Sequence, residues 1–477
     1  MNPILSNPDH LFSRFFKMLP ANLLSNSMIP LATIFSTAFL GHLEEIHHLA
    51  GVALAGNLLS LLFLLLVSLR MGTTGLTAQA VGREDREEML LVGLRNIIIA
   101  LVFGIALIIL QYPIQVLGLS WVSASPDVIG SATNYFKAFI CGAPAILINF
   151  VLLGWFLGRE KNAEVLLLTF VASATNIACD YLLVSQWNFG SMGAGISSTI
   201  SQYLILLMGL IIVFQDVRWD EVQALAVKIG NLDAFKSIFT LNGNILLNNL
   251  IFTAAVVIFN YQGVALGTTT YTENALLIEI VTLNAFLAEG VGFGVETLTG
   301  NYKGQGTSEQ LAPLVGIGIA TSLLIGIGLA GLAIVFPDTL FGLFTNHSEV
   351  TELIGVYIFW LLPILGFTSI AFVLEAYFLG LTEGETVRNV SLVSFLVGFV
   401  PTAFTAWKFH SNHLLWLALC LFLAARMVNF GLELPRSFRR NVDVEDGTFV
   451  AFKKSPDFPL SFEEELGSEI IAENLEV

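Results

Sequence analysis

Apolar stretches about 20 residues long recur from one end of this 477-residue chain to the other, and that recurrence leaves few folds open. Each is long enough to cross a hydrocarbon core of about 30 Å as a helix. Twelve can be drawn, at approximately 14–41, 49–74, 89–110, 131–158, 163–184, 193–214, 237–260, 272–298, 311–336, 351–380, 387–407 and 413–435. The chain is 55% hydrophobic and only 12% charged, with a mean hydropathy of +0.78, far from the balance of a protein that folds in water. The fold class expected is therefore an all-α integral membrane protein.

Lys and Arg placement orients the spans. Sixteen of the 21 basic residues fall on one side under alternation: Arg14, Lys17, Arg83, Arg86, Arg159, Lys161, Arg218, Lys228, Lys236, Lys303, Arg388 and five beyond residue 435. The opposite loops hold only Lys408. This works in one register of twelve spans, with both termini expected in the cytoplasm of a cell (inner) or organelle membrane. The formal charge of −16 comes partly from residues 436–477, where ten carboxylates face five Lys or Arg; that segment reads as a solvated cytoplasmic tail rather than as a surface for a basic partner. Ser461 with Glu464 suggests a capping box there, ahead of a short amphipathic helix. No basic nucleic-acid footprint occurs, and no removable signal peptide is read at the N-terminus. Cys141, Cys179 and Cys420 lie in apolar spans, where a thiol acts as a small hydrophobe.

The chain is also doubled. FVLLGWFLG at 150–158 returns as FVLEAYFLG at 372–380, six of nine positions identical, at an offset of 222 residues. At the same offset Asn22 and Asn26 fall on Asn244 and Asn248, and LTAQAVG at 76–82 falls on LTGNYKG at 298–304. Six spans per half is an even number, so both halves enter and leave on one side. They are expected to be related by a pseudo-two-fold axis along the membrane normal, with a central cleft. The divisions are 1–214 (N-lobe), 215–236 (linker), 237–435 (C-lobe) and 436–477 (tail). Pro20, Pro30, Pro144 and Pro363 mark places where a span can bend.

An ionisable side chain at membrane depth costs roughly 2.5–3.5 kcal/mol on insertion scales, so each such residue is a functional candidate. The eighth span holds Glu279, Glu289 and Glu296, and the tenth holds Glu375, which replaces Leu153 of the first copy. At about 100° per residue Glu289 and Glu296 share a stripe and Glu279 lies about 80° away. A carboxyl withdrawn from water can load and release a proton, and if Glu289 and Glu375 met, a sodium ion could stand in for the proton. Glu375, Glu289 and Glu279 are the candidate cation-coupling residues, and Ser36, Asn26, Asn244, Asn248 and Glu296 the candidate cavity residues. Arg70, Lys137, Asp180 and Arg426 read as interfacial anchors that snorkel. HLEEIHH at 42–48 reads as a solvated external loop rather than a metal site, because it lacks HExxH spacing and helical context. GVGFG at 290–294 reads as close helix packing, and there is no Walker-type loop. No catalytic residue, metal or cofactor is expected.

Several stretches make the chain similar to the multidrug and toxic compound extrusion (MATE) family, in its DinF-like branch: STAFLGHL (36–43), LRMGTTGLTAQAVG (69–82), NFVLLGWFLG (149–158), NIACDYLLV (176–184) and AFVLEAYFLG (371–380). The resemblance covers roughly residues 15–435. It implies two six-helix lobes around a central cavity (MATE/MOP-type), and antiport in which inward protons or sodium drive export of organic compounds, by a monomer among membrane lipids. Two departures follow. The family's first-span aspartate is Ser36 here, and a charged Arg-Asp pair of the seventh span is Gly243 and Asn244. The family's tenth-span and eighth-span acids match Glu375 and Glu289, which implies coupling through the C-lobe alone. Three other readings make different demands. A flippase of lipid-linked sugars calls for a more basic cavity, an intramembrane enzyme calls for a nucleophile and base at depth, and an uncoupled facilitator would follow from loss of the first-span acid.

Overall fold

The computed structural model describes residues 8–43, 45–120, 124–341 and 354–445. Among these, eleven helices are long and apolar enough to cross a membrane, and a bent pair supplies a twelfth. In chain order the crossings are α1 (Leu11–Gly41), α2 (Ile46–Gly82), α3 (Arg86–Ile109), α4 (Pro126–Ile140 with Ala143–Gly158), α5 (Asn162–Gln186) and α6 (Gly190–Asp216). The second half follows as α7 (Leu232–Ala265), α8 (Thr268–Gln305), α9 (Ser308–Val335), α10 (Ile354–Gly380), α11 (Gly384–Phe409) and α12 (Asn412–Arg440). The expected capping box at Ser461 lies outside the described residues.

Local chemistry explains the irregularities. The two pieces of α4 meet at 53°, with Gly142 at the joint and Pro144 in the first turn of the second piece, where its missing N–H would have had no helical partner. By contrast α1 runs through both Pro20 and Pro30 as one helix. Both α5 and α11 carry a π-helical turn, Tyr181–Gln186 and Ser394–Phe399, and the latter precedes Pro401.

The duplication is visible in the backbone. Left-handed residues pair at the 222-residue offset three times: Glu84 (φ 56°) with Gly306 (φ 69°), Glu160 (58°) with Thr382 (60°), and Asn188 (53°) with His410 (49°). Each pair ends the same helix in the two halves. A left-handed residue other than glycine is uncommon, so three coincidences mean that the turns were inherited together.

The linker holds a helix, Trp219–Ile229, tied to α3. Arg86 reaches Glu221 (3.0 Å) and Lys228 reaches Glu87 (2.6 Å). Arg95 turns its guanidinium onto the carbonyls of Lys228 (2.9 Å) and Ile229 (3.4 Å), which satisfies the end of the linker helix. We call this side the linker face.

The lobes close against each other at that face. Gly82 of α2 meets the Asn301 carbonyl and Gly304 of α8 meets the Gln79 carbonyl, a reciprocal close approach that a side chain at either glycine would block. Gln79 donates to the Gly380 carbonyl (2.9 Å), and its repeat mate Asn301 donates to Glu160 (2.7 Å), which also holds Arg14. Leu11, Phe15 and Met18 of α1 are buried in the core of the C-lobe. These hydrogen bonds between lobes run from mid-membrane to the linker face.

The close approach gives a test. In a cysteine-free background, Ala78→Cys at the sealed interface should resist a membrane-impermeant maleimide, and adding Gly304→Val should make it react several-fold faster. Equal labelling of both proteins would mean that this contact does not hold the face closed.

Candidate functional site

The glycine run at 290–294 lets α8 lie close to α1 and α10: Gly290 faces Leu23, Gly294 faces Phe15, and Gly292 faces Ala376. That closeness brings Glu289 of the C-lobe into reach of the N-lobe. Arg70 of α2 donates to Glu289 Oε1 at 2.6 Å, and Asn26 of α1 donates to Glu289 Oε2 at 3.1 Å while also reaching the Phe286 carbonyl at 2.7 Å. Phe293 stacks under the Arg70 guanidinium with 4.3 Å to the ring centroid. Both oxygens of Glu289 are thus held from across the lobe boundary.

Glu375 has different company, all within the C-lobe. Arg426 of α12 donates to Glu375 Oε2 at 2.6 Å, and Asn248 of α7 donates to Oε1 at 2.6 Å. Asn248 Oδ1 in turn accepts from Ser391 of α11 and from Arg426. Four phenylalanines, Phe252, Phe372, Phe422 and Phe430, surround the guanidinium at 5.4 to 6.0 Å. This pair is enclosed, with side-chain exposures of 1% for Arg426 and 9% for Glu375, whereas Glu289 keeps 24%.

These positions revise several expectations. Arg70 and Arg426 do not snorkel to an interface; each is buried because a carboxylate and aromatic faces meet it inside the bundle. Glu289 and Glu375 do not share one site, since each is bound to its own arginine. Glu279 is exposed on α8 and belongs to neither cluster. Asn26 and Asn248 join the two carboxylates, while Ser36 is half-buried on α1. Asn244 and Glu296, expected to line the cavity, are enclosed: Arg388 holds Asn244 Oδ1 at 2.8 Å, and Glu296 is 2% exposed with its Oε1 unpartnered.

A further carboxylate was read from the sequence as an anchor. Asp180 of α5 is fully buried, and neither of its oxygens has a partner at hydrogen-bond geometry, although the hydroxyls of Ser36 and Ser197 lie close by. One turn earlier Asn176 donates to Ser197 (3.1 Å) and Ser198 (3.3 Å). Asp180 is the last α-helical residue before the π turn of α5. A one-carbon stem cannot snorkel as Lys and Arg do, and Asn176 and Asp180 stand four apart on one stripe; together these were the available signals.

Comparison with known proteins agrees with the doubled, twelve-span fold. A family model described as MatE matches residues 22–182 and again 245–404, once in each half. The chain is similar to the DNA damage-inducible protein F of Escherichia coli (strain K12), with 31% identity over 430 residues, 90% of this chain and 91% of that protein. It is also similar to a probable multidrug resistance protein NorM of Thermotoga maritima, with 23% identity over 336 residues, 68% of this chain and 72% of that one. Among solved structures, a multidrug resistance MATE family transporter of the MOP superfamily in an outward-facing conformation matches with a TM-score of 0.82 at 20% identity, covering 91% of this chain and 96% of the other.

Removing one member of a buried ion pair strands the other charge and costs about 3–5 kcal/mol, while replacing both by apolar residues is often neutral. Arg426→Met should therefore lower the thermal stability of the purified protein sharply, and adding Glu375→Leu should restore most of it. A single variant as stable as the wild type would show that the enclosed pair is not bound as described.

Proposed function

The chain belongs to the MatE family, whose members are multidrug efflux transporters and not enzymes, and from that premise we propose a cation-coupled exporter of amphipathic organic compounds in which Glu289 links ion binding to lobe movement. The observation that supports this is the double hold on Glu289 from the opposite lobe. The linker face is cytoplasmic in this reading, since the basic loops lie there.

The chemistry follows from charge. An ionised Glu289 binds Arg70 and Asn26 and keeps the cytoplasmic side shut. A proton from the opposite face neutralises the carboxylate, ends its charge–charge attraction for Arg70, and so weakens the hold across the boundary at this site. The lobes then open on the cytoplasmic side, where the proton departs and cargo enters. Ionisation of Glu289 re-forms the bridge and returns the cargo to the outer side. Glu375, saturated by Arg426 and Asn248, serves as the fixed wall of the C-lobe.

The unpartnered oxygens of Asp180 favour a second location for the coupling ion, in the N-lobe. Carboxylate and hydroxyl oxygens of Asp180, Ser36 and Ser197 form a set suited to a proton or to a hard cation such as sodium. On this reading Ser36 does not empty the first lobe of coupling chemistry, because Asp180 supplies the acid.

Reconstituted protein separates these roles when a pH gradient and a sodium gradient are imposed in turn and efflux of a fluorescent organic cation is followed. Glu289→Gln should lose gradient-driven efflux by at least about ten-fold, the scale of about 1.4 kcal/mol of coupling. Full coupling in Glu289→Gln would remove this residue from the mechanism, and loss only in Asp180→Asn would place coupling in the N-lobe.

A further inference from the structure

The segment HLEEIHH, read from the sequence as a solvated loop, is partly helical. Glu45 is the residue ahead of α2, and His47 and His48 lie in its first turn, on the face opposite the linker. The two imidazoles converge on one carboxylate oxygen: His47 Nε2 is 3.3 Å and His48 Nε2 is 3.4 Å from Glu45 Oε2. All three atoms lie within 4.8 Å of one another.

Those separations have a chemical meaning. With bonds of about 2.0–2.2 Å, two donors of a tetrahedral zinc ion stand about 3.3–3.5 Å apart. The two nitrogen–oxygen edges already have that length, and the third edge, between the imidazoles, is at most 4.8 Å. We propose that Glu45, His47 and His48 form a binding site for a divalent transition metal of the Zn2+ class on the N-lobe. Two imidazole nitrogens and one carboxylate suit Zn2+ or its transition-metal neighbours rather than Mg2+ or Ca2+, which prefer oxygen ligands alone.

The surroundings of His48 orient it for this role. Its Nδ1 lies 3.3 Å from Ser131 Oγ on α4 and 3.4 Å from Ser191 Oγ on α6, and the Ser191 N–H points at it from 3.3 Å. Gly190, at φ +54°, leaves room for the ring, which any side chain there would strike. Without metal, the Ser191 N–H makes Nδ1 an acceptor, and the Nε2 proton faces Glu45. Metal binding moves the His48 proton from Nε2 to Nδ1, where the Ser131 hydroxyl accepts it, and the long Ser191 N–H contact is given up. Such outer partners fix the ring and tune affinity. Glu45, 65% exposed, leaves the remaining coordination position to water. A bound ion would tie the turn between α1 and α2 to α4 through Ser131.

The full chain, purified in detergent without a polyhistidine tag, should bind one Co2+ with the intense visible absorption of a four-coordinate ion, and Zn2+ should displace it. His47→Ala and Glu45→Gln change exposed or half-exposed side chains, so they should fold normally while weakening binding at least about ten-fold. Ser131→Ala should weaken it by a similar factor, within the range known for such outer partners. Absence of a saturable signal in the wild type, or a signal unchanged in His47→Ala, would overturn the site.

Discussion

One carboxylate held from the other side of a boundary determines how the two halves of this molecule meet. Glu289 belongs to the C-lobe by sequence and to the N-lobe by hydrogen bonding, because Arg70 and Asn26 occupy its two oxygens. A charge at membrane depth is tolerated only where something answers it. Here the answer comes from the partner lobe, so the ion pair and the closed linker face stand or fall together. Below it, the reciprocal approach of Gly82 and Gly304 brings backbone against backbone, and the Gln79 and Asn301 amides fasten it.

The two arginine–glutamate pairs do different work for a physical reason. Arg426 and Glu375 sit inside one lobe, caged by phenylalanines and satisfied by Asn248, and no rigid-body movement of the lobes need disturb them. Arg70 and Glu289 span two bodies, so any such movement must break them. Glu289 also keeps contact with solvent, with 24% of its side chain exposed, whereas Glu375 is enclosed. The repeat is thus preserved in its turns and divergent in its charges: Glu160 on one side of the axis corresponds to Thr382 on the other, and Leu153 corresponds to Glu375.

Much of this was legible in the chain. Twelve apolar stretches and the 222-residue offset led to the fold, because span length and repetition depend on sequence alone. The offset even matched Gln79 with Asn301, which the structure shows to be a cross-lobe pair of amides. The charges were harder. Arg70 and Arg426 read as anchors because a long cation near a helix end has two outlets, and only tertiary structure shows which one is taken. Glu289 and Glu375 stood out by depth, but their separation into two pairs depended on the rotation of α8 against α1 and α2, which periodicity does not encode. Asp180 reads as an anchor because it stands near the end of its apolar span, yet its one-carbon stem is too short to snorkel.

The bridge at Glu289 can be observed without any cargo. Spin labels on the linker-face ends of α3 and α11, one in each lobe, would report the lobe separation by pulsed electron paramagnetic resonance across a pH series. The account predicts a short distance at high pH, a second longer distance that grows as pH falls, and a long distance at all pH values in Glu289→Gln. A distance distribution that is the same in wild type and Glu289→Gln at every pH would contradict it.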